Sequence, residues 1–286
     1  MEIIYPPDAA TFLESVKDVL LADEVNGNLL LGIADTLVKN KFTYGDAEPF
    51  FAIIYQEQQV ALMAIMTPPH KLLLYKGHDC SEEAIALLGK EVYAKLGNIT
   101  GVNAERNLAQ AFADKWAIIA GCNYTIEMQL RAFKLTHVND YTRPAGMFRV
   151  ALPEDLQIIT QFIGEFSVEA NAAVSADRVN ETAKNGIANG EIYVWEDTTI
   201  VAIAKAARPT NNGMAIGYVY TPKLYRNKGY ATAVVAELSK KVLASGKSFC
   251  TLYTDLSNPT SNSIYQKIGY QPVSDNVNYS FVYKGV

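Results

Sequence analysis

The chain has 286 residues, enough for two domains of ordinary size. Apolar residues make up 49% and charged residues 19%, which supplies a core and excludes wholesale disorder. A formal net charge of −5 leaves no basic excess to neutralise phosphates, so no nucleic-acid partner is expected.

Apolar runs such as Val60–Met66 fall far short of the roughly 18 residues of a spanning helix, so no membrane partner is expected. The N-terminal stretch MEIIYPPDAATF has no basic n-region, which points to a cytoplasmic protein. Cys80, Cys122 and Cys250 are widely spaced and fit neither a disulfide framework nor a zinc motif. They read as small buried residues in a reducing compartment. His70, His78 and His137 lack metal-ligand spacing, and no metal is expected.

In chain order, the first half reads as strands over Phe50–Tyr55, Val60–Met66 and Lys71–Tyr75, then a helix over Glu82–Leu96. A strand over Ile99–Asn103, a helix beginning near Asn107 and an alternating strand over Thr125–Leu135 follow. Asn139–Gly146 is polar, carries Pro144 and breaks the apolar periodicity, which places a domain boundary there. The expected domains are 1–140 and 144–286.

The second half opens on a strand over Met147–Ala151, and Pro153 then starts a helix reaching Val168. A helix over Ala176–Ala188 precedes strands over Glu191–Trp195, Ile200–Ala206 and Gly213–Tyr220. An amphipathic helix over Ala231–Leu243 ends at Gly246. A strand over Phe249–Thr254, a short helix over Pro259–Ile268 and strands over Gly269–Val273 and Tyr279–Tyr283 complete the order. This is an α/β (α+β) chain with a mixed, mostly antiparallel sheet flanked by helices. The two halves share their element order at an offset of about 140 residues, too long for a solenoid repeat. Two copies of one domain are expected.

Tyr218–Thr232, YVYTPKLYRNKGYAT, joins a strand to a helix. The first N–H groups of a helix lack internal acceptors and carry the positive end of its dipole, so an anion is their natural partner. Gly229 has no Cβ to keep phosphate oxygens away, Ala231 is small, and Arg226 and Lys228 add charge. The alternative is a glycine that only lets the chain turn into the helix. Neither a Walker loop nor a G-x-G-x-x-G fingerprint is present.

One strand downstream lies Asn258–Tyr270, NPTSNSIYQKIGY. Together the two stretches resemble the GNAT superfamily of acyl-CoA-dependent N-acyltransferases. Val219, Pro222, Arg226, Gly229 and Ala231 match its V-x-x-P-x-x-x-R-x-x-G-x-A/G stretch, which binds the CoA pyrophosphate. Asn258, Ser261, Tyr265, Gly269 and Tyr270 match its later N-x-x-A/S-x-x-x-Y-x-x-x-G-F/Y helix. The resemblance covers about 148–283 and is strongest to the bacterial two-domain type with an FR47-like C-terminal domain. In the first half, the corresponding stretch from Tyr75 to Glu83 has no R-x-x-G-x-A, and Glu82 and Glu83 oppose an anion. That domain is expected to be a degenerate copy without a CoA site.

The resemblance implies acetyl-CoA as co-substrate. It implies cofactor binding by Val219, Tyr220, Thr221, Arg226, Asn227, Lys228, Gly229, Tyr230, Ala231, Thr232, Asn258, Ser261 and Tyr265. It also implies that the fourth strand splays from the fifth near Val219, whose backbone N–H polarises the thioester carbonyl. Tyr265 is the candidate general acid, because a phenol keeps its proton at neutral pH and can pass it to a thiolate. Plain alternatives stand beside these roles: strand core for Val219, packing for Tyr265, and helix capping for Asn258.

No base stands out. Gly213–Tyr220 holds no Asp or Glu, and Glu165, Glu169 and Glu196 are unranked candidates. Phe162, Phe166 and Trp195 have the spacing of an acceptor pocket and equally of a core. The expected function is transfer of an acetyl group from acetyl-CoA to a primary amine of a small molecule or peptide. The alternative is a non-catalytic CoA-binding module. A nucleotide-phosphate-binding protein would need Mg²⁺ ligands that the sequence does not offer.

Overall fold

The computed structural model describes residues 1–170 and 174–284. The chain forms two compact units. The first comprises Met1–Ala132, Asp255–Ser257 and Val273–Val286, and the second Phe133–Thr254 and Asn258–Pro272.

In chain order the first unit contains β1 (Glu2–Ile4), α1 (Ala9–Ala22), α2 (Glu24–Lys39), β2 (Phe50–Gln56), β3 (Gln59–Met66) and β4 (Leu72–Lys76). It continues with α3 (Glu82–Leu96), β5 (Gly101–Glu105), α4 (Arg106–Ala120) and β6 (Cys122–Leu135), whose last three residues belong to the second unit. The second half runs β7 (Met147–Val150), α5 (Leu156–Glu169), α6 (Ala176–Ala188), β8 (Ile192–Asp197), β9 (Thr199–Pro209) and β10 (Gly213–Tyr220). It ends with α7 (Tyr230–Ala244), β11 (Phe249–Asp255), α8 (Pro259–Ile268) and β12 (Gln271–Tyr283). Both halves therefore read β-α-α-β-β-β-α-β-α-β, which gives the expected duplication a structural form.

Within each unit the strand pairing is mostly antiparallel with one parallel step, at β4–β5 in the first and β10–β11 in the second. The expected mixed sheet is thus present. Helices bury apolar stripes on both faces. In the first unit α1 and α2 seal one face with Phe12, Val16, Leu20 and Leu31, and α3 and α4 the other with Leu88, Phe112 and Trp116. The second unit repeats this: α5 and α6 pack Ile159, Phe162 and Val179 on one side. There α7 and α8 pack Val234, Leu238 and Tyr265 on the other. The helices α1 and α2 have a plain sequence signal, with Asp8 and Asp23 accepting from the N–H groups of Thr11 and Asn26 as caps.

One expectation is corrected. The last two strands are one continuous strand, β12. The polar stretch Ser274–Asn278 that suggested a break stays in the ladder, because Asn276, Val277 and Asn278 pair with Glu105, Ala104 and Asn103 of β5. The division into units also differs from the break at 140–144. Residues 133–146 pack within the second unit, where Asn139 N–H donates to Ile268 O at 2.8 Å and Trp195 Nε1 donates to Ala145 O at 2.9 Å. β12 instead joins the first unit's core through Val277, Tyr279 and Phe281. Each half thus hands part of its final strand to the other unit.

All three cysteines are free thiols: Cys122 and Cys250 are buried, and Cys80 is half-buried. Burial pushes the Cys80 thiol up to about 11 and the Cys250 thiol up to about 12, so both remain protonated at neutral pH.

Asp275 fastens β12 into the first unit. It accepts from Arg131 Nε at 2.7 Å, Arg131 Nη2 at 3.0 Å and Arg106 Nη2 at 3.3 Å. The hydrogen bond from Arg131 holds its carboxyl below the ordinary value of 3.8, and Arg106 adds to this. A depressed folded-state pKa stabilises the protein above the unfolded value, and that contribution is lost as pH falls through the folded value. Asp275→Asn is expected to cost about 1–2 kcal/mol at pH 7. Thermal unfolding of both proteins across a pH series checks this, and the gap should close as pH falls below the ordinary aspartate range.

Candidate active site

β10 pairs in parallel with β11 at Gly213–Phe249, Met214–Cys250 and Ala215–Thr251 and then stops, although both strands continue. The cause lies on β10's other edge. Its antiparallel register with β9 moves from Gly217–Lys205 to Tyr220–Ile203, so three steps on β10 face two on β9. The extra residue is a bulge, and Tyr218 within it adopts φ +49°. A bulge bends its strand and increases local twist, here turning the end of β10 away from β11. Beyond Ala215 the edge of β10 that faces β11 is not paired with it, Val219 included.

The bulge also sorts the side chains. Val219 packs with the cluster of α7 and α8 that holds Tyr265. Tyr218 and Tyr220 face the other way, against α5. Tyr218 lies 5.3 Å from the Phe166 ring, and Tyr220 lies 5.8 Å from the Phe162 ring.

A 3-10 turn over Lys223–Tyr225 leads into Arg226, then Asn227 at φ +65°, Lys228 and Gly229 at φ +85°. Gly229 is the N-cap of α7 and supplies no side-chain acceptor. Among the described residues, α1, α2, α3, α4, α6 and α8 each carry a side-chain cap. α5 has none, but a preceding turn is closed by Asp155, which accepts from Leu152 N–H at 2.7 Å. The N–H groups of Tyr230, Ala231 and Thr232 thus face an uncapped helix start with an exposed glycine in front. A Cβ on Gly229 would meet only Pro144, at 4.0 Å. The glycine answers a backbone need and leaves room in front of the helix, so its two readings coexist.

Arg226 is committed within the protein. Its Nε donates to Thr221 O at 2.9 Å and its Nη2 to Glu169 at 2.6 Å, which pins the loop to α5. Lys228 Nζ lies 5.9 Å from the Tyr225 ring. Thr221 is buried, and its Oγ1 has no hydrogen-bond partner among the described residues. Tyr230 is buried and its hydroxyl donates to Asp197, so only its backbone faces the helix start.

On α8, Asn258 accepts from Ser261 N–H at 3.0 Å, which is the capping role. Gly269 ends the helix at φ +117°, where a Cβ would stand 2.8 Å from His137 O. Tyr270 is fully buried and shares a hydrogen bond with Ser239 Oγ at 2.9 Å. These motif positions are structural. Tyr265 differs: its ring packs against Phe133 and Tyr270, and its hydroxyl has no partner among the described residues. Burial alone raises its pKa and keeps it protonated.

The acidic candidates separate. Glu196 is held by Arg149 Nε at 2.6 Å, and Glu169 by Arg226. Glu165 accepts from Tyr220 Oη at 2.9 Å and from Gln161 Nε2 at 2.9 Å. Trp195 is fully buried with its N–H used, which removes it from an acceptor pocket. Phe162 is buried and Phe166 half-buried beneath the two tyrosines. The sequence reading missed the Tyr220–Glu165 pair and the orphaned Thr221 hydroxyl, because neither the bulge nor the facing of Tyr220 has a sequence signature.

Residues 196–279 match the FR47-like protein family. No curated protein sequence matches the chain at a significant level. The fold is shared along its whole length with solved structures. A GNAT-family acetyltransferase from Colwellia psychrerythraea aligns over 99% of this chain and 100% of its own, at 13% identity and a TM-score of 0.64. A GCN5-related N-acetyltransferase from Sphaerobacter thermophilus aligns over 99% and 97%, at 14% identity and 0.64. A tandem GNAT protein from the clavulanic acid biosynthesis pathway aligns over 100% and 99%, at 12% identity and 0.59. At such identities the likeness is one of fold, and the fold is that of a two-domain GNAT acetyltransferase. Among the described residues no helix is long and apolar enough to cross a membrane, and no group of acidic, histidine or cysteine side chains could hold a metal.

Gly229→Ala is expected to lower stability by about 1 kcal/mol, because a Cβ is strained at φ +85° even with space around it. Chemical denaturation measures this cost separately from any ligand effect.

Proposed function

We propose that the chain is an acetyl-CoA-dependent N-acetyltransferase acting on a primary amine. The observation that carries the reading is the juxtaposition, in one unit, of a strand edge left unpaired past Ala215, an uncapped helix start and a buried tyrosine whose hydroxyl has no partner among the described residues. The residues fit the co-substrate. The N–H groups of Tyr230, Ala231 and Thr232 hold the pyrophosphate at the positive end of α7, across the space that Gly229 leaves. Asn227 and Lys228 flank it. The unpaired edge of β10 at Val219 and Tyr220 receives the pantetheine arm as an added strand, with the Thr221 hydroxyl beside it. Arg226 and Asn258 shape the loop and helix rather than reach the ligand, and Ser261 completes the cap.

The Val219 N–H polarises the thioester carbonyl, where a fixed dipole acts at little reorganisation cost. Tyr265 holds its proton by burial and gives it to the departing thiolate. The first unit has no equivalent site. Ser81 caps α3 by accepting from Ala84 N–H, and Glu82 and Glu83 occupy its first turn. The splay of β4 and β5 is spanned by Lys76 and Glu105, 3.5 Å apart.

A non-catalytic CoA-binding module is the second reading, and the absence of Asp and Glu from β10 favours it. Release of free thiol with a panel of amines decides between them, since a module binds CoA and releases none. Calorimetry with CoA is expected to give one site per chain, and Gly229→Glu to abolish binding by placing a carboxylate at the pyrophosphate position. A stoichiometry of two would overturn the inert first unit. Tyr265→Phe keeps the ring and its packing, so CoA affinity should hold while kcat falls roughly 10²–10⁴-fold. An unchanged kcat with a chemistry-limited amine would leave Tyr265 a packing residue.

A further inference from the structure

β10 carries no carboxylate, yet an amine that is protonated at neutral pH must lose a proton before it can attack. α5 supplies a carboxylate within reach of β10. Glu165 is half-buried and lies 2.9 Å from the Tyr220 hydroxyl, one residue beyond Val219 in the chain. We propose that Glu165, hydrogen-bonded to Tyr220, takes the acceptor's proton, and that the acceptor is an aliphatic primary ammonium entering from the α5 face. This rests on the acetyltransferase reading above and deepens it.

Three features support the assignment. First, Glu165 is free of basic partners, whereas Glu169 pairs with Arg226 and Glu196 with Arg149. Its two partners, Tyr220 and Gln161, are neutral donors that orient a carboxylate without spending its basicity on an ion pair. Second, the bulge sends Tyr220 to the α5 face while Val219 packs on the Tyr265 side. Base and acid therefore stand on opposite sides of β10, so the group that takes a proton from nitrogen and the group that gives one to sulfur do not compete for one position. Third, the half-buried rings of Phe166 and Tyr218 lie 5.3 Å apart on the same side of the sheet as Tyr220. Aromatic faces next to a carboxylate suit an ammonium on an apolar stem. Lys205 Nζ, 5.8 Å from the Tyr218 ring, is engaged with Glu191 at 3.2 Å.

Burial and the bond to Glu165 push the Tyr220 phenol up to about 12, so it keeps its proton and donates it to the carboxylate. The ammonium passes one proton to Glu165, directly or by way of the Tyr220 hydroxyl, which gives one and regains one. The amine lone pair forms the C–N bond as the thioester C=O opens. The C–S bond then breaks and Tyr265 protonates the thiolate. The second nitrogen proton restores Tyr265 through water, and Glu165 releases its proton to solvent. The net products are the amide, the free thiol and one proton.

The test uses the full-length protein with an aliphatic amine that the wild type acetylates, and with hydroxylamine, a nucleophile neutral at pH 7. Glu165→Gln keeps the shape and can still accept from Tyr220. CoA affinity by calorimetry should be unchanged, which also verifies folding. kcat/KM for the aliphatic amine should fall roughly 10²–10⁴-fold. The loss with hydroxylamine should be at least tenfold smaller, because that nucleophile needs no prior deprotonation. The variant's kcat/KM for the amine should keep rising with pH beyond the pH at which the wild type levels off, as solution deprotonates the substrate. Equal losses with both nucleophiles, or activity within twofold of the wild type, would overturn the role of Glu165. A wild type that binds CoA and acetylates no amine would instead sink the acetyltransferase reading, and this inference with it.

Discussion

The extra residue at Tyr218–Val219 is the constraint on which the second unit's chemistry rests. A regular β10 would stay paired with β11 along its length, and every backbone group there would be used. The bulge ends that pairing after Ala215–Thr251. It costs several ladder hydrogen bonds and a non-glycine residue at φ +49°, and unsupported strain of this kind does not persist. Here the rings of Phe162 and Phe166 pack beneath Tyr220 and Tyr218, and Arg226 ties the following loop to Thr221 O and to α5. The packing of α5 therefore sets the shape of β10. Arg149 does the same one layer out, bonding Asp155 at the start of α5 and Glu196 on β8.

The two halves show what a helix start needs in order to stay neutral or to invite a ligand. α3 and α7 occupy the same place in the element order. α3 begins with Ser81, Glu82 and Glu83, which satisfy one N–H and complement the dipole from within. α7 begins with Gly229 and Tyr230, which do neither. A glycine N-cap forgoes roughly a few tenths of a kcal/mol relative to a serine cap, and a bound anion can supply that stabilisation instead. The contrast lies in three residues, while the surrounding folds retain the same order of strands and helices.

Much of this was legible from sequence. Helical spacing gave α3, α5, α6 and α7, and strand–turn–strand patterns gave β2, β3, β8 and β9, because each buries one stripe or one face of a core. Arg226, Gly229 and Ala231 marked the helix start, since the need for φ > 0 and an open approach selects glycine. The ownership of β12 was not legible. Its alternating Val277, Tyr279 and Phe281 predict a buried strand face but not which core receives it, and only the pairing with β5 and the Asp275 clamp decide that. Nor was Arg226's partner visible, for a motif fixes a residue type and not the direction its side chain takes. Asn258 shows the converse, since its position in the motif and its cap to Ser261 N–H predict the same residue for different reasons.

Acid–base chemistry across a sheet makes a further demand on this architecture. Amide formation from an ammonium and a thioester needs one group that takes a proton from nitrogen and another that gives one to sulfur, and a sheet keeps two such groups apart. Tyr265 belongs to the α7–α8 side and Tyr220 with Glu165 to the α5 side. Both phenols are kept protonated, Tyr265 by burial alone and Tyr220 by burial together with Glu165. They differ in their neighbours. Tyr265 has no acceptor for its proton among the described residues, so in the proposed reaction the departing thiolate is the first strong one it meets. Tyr220 already donates to a carboxylate, so a proton gained from an amine has somewhere to go. In the proposed reaction the same residue type thus serves opposite directions of transfer, and the direction is set by what the fold places on the far side of each hydroxyl.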